Sequence, residues 1–282
     1  MTATELEVES NMLFHRTWQL PPPLGAFVEH IWVARGFLKA PWRNAILPDG
    51  AVDLMVNLGQ PQYLCLGTRQ ENLAAFAHSW LSGERLKPIV IEEAGSVDVL
   101  GVRFRPGGAW PILHFPVSEF TGHVVQLDSL PDLGMERLRQ QLAEAVDDDA
   151  RVGLMKAWLI SRLRDGSSAT PAVRYALSKM NGSGFARIGE LVKEIGISHK
   201  QFLREFERCV GLKPKTFARL RAFQRVINFV GHRVEPVWAD AANACGYHDQ
   251  AHFNHEFQDF SGLTPSEYLR LRGPLLNYLT LR

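Results

Sequence analysis

Cysteine is scarce in this chain. The three present, Cys65, Cys209 and Cys245, lie far apart and form no CxxC pair, which argues against a disulfide framework or a zinc knuckle and fits a reducing compartment. Long apolar runs are missing too: none approaches the roughly 18 uncharged residues that a bilayer-spanning helix needs. The acidic opening MTATELEVES has no apolar signal-peptide core. A cytoplasmic protein with no membrane partner is therefore expected. Net charge is nearly absent, with 31 Lys and Arg against 30 Asp and Glu, and such a balance alone points to no acidic or polyanionic partner. With 46% hydrophobic and 22% charged residues over 282 positions, disorder, collagen and coiled-coil filaments are excluded, and one or two globular domains are expected.

The charge that is present is unevenly placed. Residues 182–282 hold 14 Lys and Arg against 10 Asp and Glu, with five His, whereas residues 1–181 hold 17 against 20. The chain also changes character near Asp165–Pro171, where DGSSATP reads as a linker. Before it, strands are expected at Val28–Phe37, Ala51–Gly59, Tyr63–Gly67, Pro88–Glu92 and Asp98–Arg105. The clearest alternation places Val52, Leu54, Val56 and Leu58 on one face, behind a Pro48-Asp49-Gly50 turn. Short strands between turn signals describe a small sandwich or barrel. Asp132–Val146 and Asp149–Leu163 then read as an amphipathic helix pair, packed on its own domain or used for self-association, with Asp147–Asp149 at the second start.

From Thr170 onward the sequence reads as helical and contains a repeat. Arg187–Ile195 is a helix stopped by Gly196; Ser198 caps the next helix, and Gln201 three residues later makes a capping box. That helix buries Phe202, Phe206 and Val210 and turns His199, Lys200, Arg204 and Arg208 outward. Helix, Gly-containing turn and basic-faced helix form the helix-turn-helix pattern. It recurs: Val237–Cys245 stops at Gly246, and Asp249 caps a helix buried through Phe253, Phe257 and Phe260 that offers Gln250, Asn254, His255 and Gln258. At an offset of 51 residues Phe202, Glu205, Phe206, Gly211 and Pro214 fall on Phe253, Glu256, Phe257, Gly262 and Pro265. Duplication explains this register; chance does not.

Between the copies, Pro214–Val230 reads as one helix, about 25 Å long at 1.5 Å per residue. A strut of that size suits two reading helices spaced near one DNA turn, roughly 34 Å. Lys200, Arg204 and Arg208 suit phosphates or guanine, and Gln201, Gln250, Asn254 and Gln258 suit adenine. For each alone, a solvated helix face is the plainer reading. His252 and His255 lack a third metal ligand, and Cys209 and Cys245 read as buried packing.

These residues resemble the AraC/XylS family of bacterial transcription regulators, most specifically over Ala241–Leu269, and the resemblance covers Pro171–Arg272. It implies a seven-helix domain whose reading helices enter successive major grooves of double-stranded DNA. By that likeness His199–Arg208 and Gln250–Gln258 carry the contacts, with the caps Ser198 and Asp249 beside them. Val192 and Lys193 depart from the small residue often found in the first motif. The front half more loosely resembles the N-terminal domain found before such regulators, through ILPDG (Ile46–Gly50), Asp53-Leu54 and GVRFRPGGA (Gly101–Ala109). That likeness implies sensing or oligomerisation on a cupin-like barrel; the metal-binding histidine clusters of enzymatic cupins are missing from this stretch, so no metal and no cofactor are expected.

The expected architecture is α+β: residues 1–165 as a sensor or oligomerisation domain with a helical pair, 166–170 as linker, 171–272 as the double helix-turn-helix domain, and 273–282 as a tail. Arg103 and Arg105 share a strand face and suit an anionic small-molecule effector or simply answer local carboxylates, and Asp49 and Asp53 read as turn and strand-face residues. The functional expectation is a sequence-specific regulator with no catalytic residue, acting on its promoter, with RNA polymerase and a second copy as further partners. Two alternatives stand beside it: an effector-independent regulator whose front half only assembles, and a DNA-repair alkyl-acceptor, which needs an activated cysteine where the front half offers only Cys65.

Overall fold

The computed structural model describes residues 2–8, 11–65, 73–128, 130–163, 170–180, 188–231, 233 and 236–281; of the expected linker at 166–170, only Thr170 is among them. The front half is built on two long antiparallel strands, β3 (Val28–Ile46) and β8 (Ile89–Phe104), paired along most of their length. Their pairing slips between Leu38 and Trp42, and Gly95 opposite that slip sits at φ +68°, in the left-handed region glycine tolerates. The irregularity divides one sheet into two leaves.

On the first leaf, β1 (Thr2–Val8) and β2 (Asn11–Trp18) extend β3, while β4 (Val52–Asn57), β7 (Ser79–Ser82) and β9 (Val124–Gln126) extend β8. On the second, β5 (Gln62–Cys65) and β6 (Leu73–Phe76) extend β8. The other edge of that leaf is closed by β10 (Tyr278–Leu281), the end of the chain, paired with Arg43–Ile46 of β3. The expected strands are present in outline, with Leu66 and Gly67 of the expected Tyr63–Gly67 strand outside the described residues. Sequence pattern does not announce β7, because SWLS is buried at all four positions and so shows no polar alternation.

The back of the first leaf buries Ile31, Val33, Leu54, Val56, Leu81, Leu100, Val102 and Phe104 against α1 (Trp110–Leu113), α2 (Met135–Glu144) and α3 (Asp148–Arg162). The expected helix pair therefore packs on its own domain, through Met135, Leu138, Leu142, Val152, Met155 and Leu159. Asp147 caps α3 by accepting from the Ala150 N–H at 2.8 Å, which places the acidic stretch where the helix dipole favours it.

Seven helices follow among the described residues: α4 (Pro171–Met180), α5 (Ile188–Ile195), α6 (His199–Val210), α7 (Pro214–Val230), α8 (Trp238–Ala244), α9 (Gln250–Ser261) and α10 (Pro265–Leu271). The fold is α+β, a strand-rich front half and a helical back half. Six phenylalanines with no exposed surface, Phe202, Phe206, Phe217, Phe223, Phe253 and Phe257, form the centre of the helical core. Val192 fits this core and Lys193 faces solvent, so the departure noted in the first motif is accommodated.

The helical core continues into the sheet. Leu47 and Leu279 are buried in it, and Ala45, Leu86 and Trp110 pack against it. The ILPDG turn lies at this seam. Pro48 O accepts from Gln224 Nε2 of α7 at 2.8 Å, and Gly50, at φ +77°, lies where an added Cβ would meet the Leu220 and Phe217 side chains at 3.4 and 3.5 Å. Leu47 N–H donates to Asn277 O at 2.9 Å, Thr121 Oγ1 to Gly211 O at 2.8 Å, and Lys87 Nζ to the Asp259 carboxylate at 2.7 Å.

Candidate nucleic-acid interface

Each reading helix is set by the same local devices. Gly196 and Gly246 take φ +75° and +85°, ending α5 and following α8 with a turn that a β-carbon would strain. Ser198 Oγ then accepts from Gln201 N–H at 3.2 Å, and Asp249 Oδ1 from His252 N–H at 2.7 Å, so both helices start on a side-chain cap. Gly211 and Gly262 close them in the left-handed region. The first capping box is only half formed. Gln201 sends its amide forward to Glu205 Oε1 at 2.8 Å instead of back to the cap, while the complete box belongs to Thr264 and Glu267. Those capping bonds also hold acids in their charged form: the hydrogen bond from Gln201 draws Glu205 below its ordinary range, and the backbone bond from His252 does so for Asp249.

The outward residues are where the pattern placed them. On α6 and its cap, Ser198, His199, Lys200, Gln201, Arg204 and Arg208 are exposed; on α9 and its cap, Asp249, Gln250, Asn254, His255 and Gln258 are exposed. The two faces differ in chemistry. The first carries three cations, suited to phosphate or guanine. The second carries amides and a histidine, and Gln250, Asn254 and Gln258 line a surface groove of about 290 Å³ with Trp238, Thr264, Pro265 and Ser266. Amides in a groove suit the donor and acceptor edges of bases more than bulk charge.

Three features of the site depend on contacts that one sequence does not reveal. Arg208 stacks its guanidinium 4.8 Å from the ring centre of Trp110, so the last cation of the first reading helix touches the front half. Arg219 of α7 grips Glu256 of α9 through Nε and Nη2 at 2.6–3.1 Å and reaches Asp259 at 3.2 Å. The repeat equates Glu205 with Glu256, yet Glu256 is buried on Arg219 while Glu205 accepts from Gln201 and Thr170. Asp259 in turn carries the bond from Lys87, which ties the second reading helix to the loop leading into β8.

Arg103 and Arg105 are not brought together into one site. Arg103 pairs with Asp49, with Asp53 at 3.1 Å and with Glu29 at 3.4 Å. Burial pushes the Asp49 carboxyl up, and the Arg103 and Arg85 charges more than offset that, leaving it below its ordinary range. Arg105 lies beyond the strand end, exposed, donating to Gly25 O at 2.9 Å.

Residues 191–271 match the family model of a helix-turn-helix domain. The C-terminal part of the chain is an AraC-type helix-turn-helix domain. Ahead of this AraC-type domain, residues 17–126 match a domain of unknown function, DUF6597. The helix-turn-helix match implies DNA binding by the C-terminal domain. No curated protein matches the chain. Among solved structures the chain is similar to ToxT from Vibrio cholerae, at 11% identity over 85% of this chain and 97% of that one, with a TM-score of 0.44. It is also similar to the AraC-like transcriptional activator CuxR, at 14% identity over 77% and 81%, TM-score 0.31. Vicilin from hazelnut, Corylus avellana, is similar over 36% of this chain and 29% of that one, at 9% identity and TM-score 0.26. No helix among the described residues is long and apolar enough to cross a membrane.

Proposed function

We propose that the protein is a cytoplasmic, non-enzymatic regulator that reads two successive major grooves of its promoter with α6 and α9, under the control of its front half through a small effector. The observation that carries this reading is the pair of helices, each started by a side-chain cap and each with a mostly polar outer face, joined by a 17-residue helix whose inner side is buried. Lys200, Arg204 and Arg208 anchor the first groove, with His199 and Gln201 beside them. Gln250, Asn254, His255 and Gln258 read base edges in the second, while Ser198 and Asp249 hold the helix starts. Control by the front half is supported by the stacking of Arg208 on Trp110 and by the bond from Lys87 to Asp259, which place both reading helices in contact with it.

An operator obtained by selection from random DNA tests this. Affinity should fall steeply with salt as phosphate counterions are released. Arg204→Ala should lose about 1–3 kcal/mol on that operator, and less on random DNA, if Arg204 reads a base. Affinity indifferent to salt would sink the reading. The second reading, an effector-independent regulator whose front half binds another copy or RNA polymerase, predicts a concentration-dependent mass and no response to small molecules.

A further inference from the structure

The repeat relates more than the two reading helices. Gly211, Leu212 and Pro214 after α6 fall on Gly262, Leu263 and Pro265 after α9, and each stretch passes from a left-handed glycine into a helix with proline in its first turn. The residues just ahead of those prolines share one backbone conformation, Lys213 at φ -65° and ψ 145°, Thr264 at φ -72° and ψ 157°. In the second copy this turn borders the reading face: Thr264, Pro265 and Ser266 line the groove together with Gln250, Asn254 and Gln258. The same register sets Lys213 and Lys215 at the places of Thr264 and Ser266, and all four are exposed.

Charge separates the copies. From His199 to Lys215 the first holds five cations, Lys200, Arg204, Arg208, Lys213 and Lys215, against Glu205 and Glu207. From Gln250 to Ser266 the second holds no Lys or Arg, and both its acids are met from behind, Glu256 by Arg219 and Asp259 by Arg219 and Lys87. What its groove offers is neutral: hydroxyls on Thr264 and Ser266, amides on Gln250, Asn254 and Gln258. Nor do the lysines help the fold locally. Lys213 holds the cap position of α7 without a side-chain cap bond, and positive charge is unfavourable at that end of a helix, whereas Thr264 at the equivalent place makes a complete capping box. Cations set where the helix itself disfavours them point to a polyanionic partner.

We infer that the two motifs hold DNA by different chemistry: the first fastens the phosphate backbone by charge, with Lys213 and Lys215 as two further phosphate contacts, and the second holds it through neutral donors, with Thr264 and Ser266 on the backbone beside the amides that read bases. Each cation placed on a phosphate releases condensed counterions, so the salt dependence of binding originates in the first motif. A hydroxyl or amide neutralises no phosphate, and the second motif contributes almost equally at every salt concentration. Charge attracts all sequences alike, whereas directional donors and acceptors fit one arrangement of base edges. The first motif is thus the sequence-tolerant anchor, and discrimination between operators lies mostly in the second.

This inference rests on the DNA-reading proposal, and the experiment separates the two. Affinity of the full chain for the selected operator and for random-sequence DNA is followed by fluorescence anisotropy over a series of KCl concentrations. Lys213→Gln combined with Lys215→Gln should lower the slope of log affinity against log salt by about 0.9 for each lysine, equally on both DNAs. Ser266→Ala should weaken operator binding several-fold at every salt concentration with the slope unchanged. Ser266→Lys, which gives the second copy the residue of the first, should steepen the slope by about 0.9. An unchanged slope in the double lysine variant, a shallower slope or full affinity in Ser266→Ala, or no steepening by Ser266→Lys overturns the inference. A selection that enriches no sequence defeats the reader proposal instead, and the slopes of the lysine variant and Ser266→Lys on random DNA still decide this one.

Discussion

At the scale of single residues, the burial of Glu256 matters more than its charge. The residue is 5% exposed and leans on Arg219, which is itself only partly buried. Arg219→Met should leave that carboxylate uncompensated and cost about 2 kcal/mol, less than the roughly 3–5 kcal/mol of a fully buried broken pair. The same change combined with Glu256→Met should recover most of it, and urea denaturation of the three chains measures both. Glu93 gives a pH signature. Its carboxyl titrates at about 7 in the folded protein because of burial, above its value in the unfolded chain. The stability it contributes is thus fully present below the ordinary carboxylate range and is lost as pH rises to about 7. Stability of the unliganded protein should decline over that window, and Glu93→Gln should flatten the decline; an unchanged profile would mean the side chain is solvated.

At the scale of elements, the two reading helices are copies in their starts and ends but not in their faces. Ser198→Ala and Asp249→Ala should each destabilise by about 1 kcal/mol, because each leaves a first-turn N–H without its acceptor. Being far apart, the two losses should add; chemical denaturation of the double variant checks the sum. Most of this scale was legible in the sequence. The glycine stops, the caps and the phenylalanine spacing of both motifs are short-range features, and the structure reproduces them within a residue or two. Gln201 is the instructive exception. It has the right spacing for a capping box, but Glu205 one turn on offers a competing acceptor, and the side chain takes that one.

On the scale of the whole molecule, the chain end is structural. Removing residues 274–282 takes away β10, the Asn277 bonds to Leu47 and Gln224, and the fully buried Leu279. Loss of the leucine alone should cost about 3 kcal/mol. Calorimetry should show the intact chain melting in one transition and the shortened chain in two, as the sheet and the helical domain part company. A single transition at the original temperature would show that the seam holds without the strand.

What the sequence determined by itself is the reader: helix ends, caps, polar faces and the repeat are written within windows of a few residues, where backbone geometry and hydrogen-bond reach leave little choice. Long-range folding decided the rest. YLTL is too short to declare itself a strand, and only pairing with Arg43–Ile46 makes it one. ILPDG reads as a turn, and only the arrival of α7 makes it a seam. Arg103 is an ordinary charge on a strand until the sheet brings Glu29, Asp49 and Asp53 around it. Contacts between residues far apart in the chain are fixed by the packing of whole layers, which local pattern does not encode.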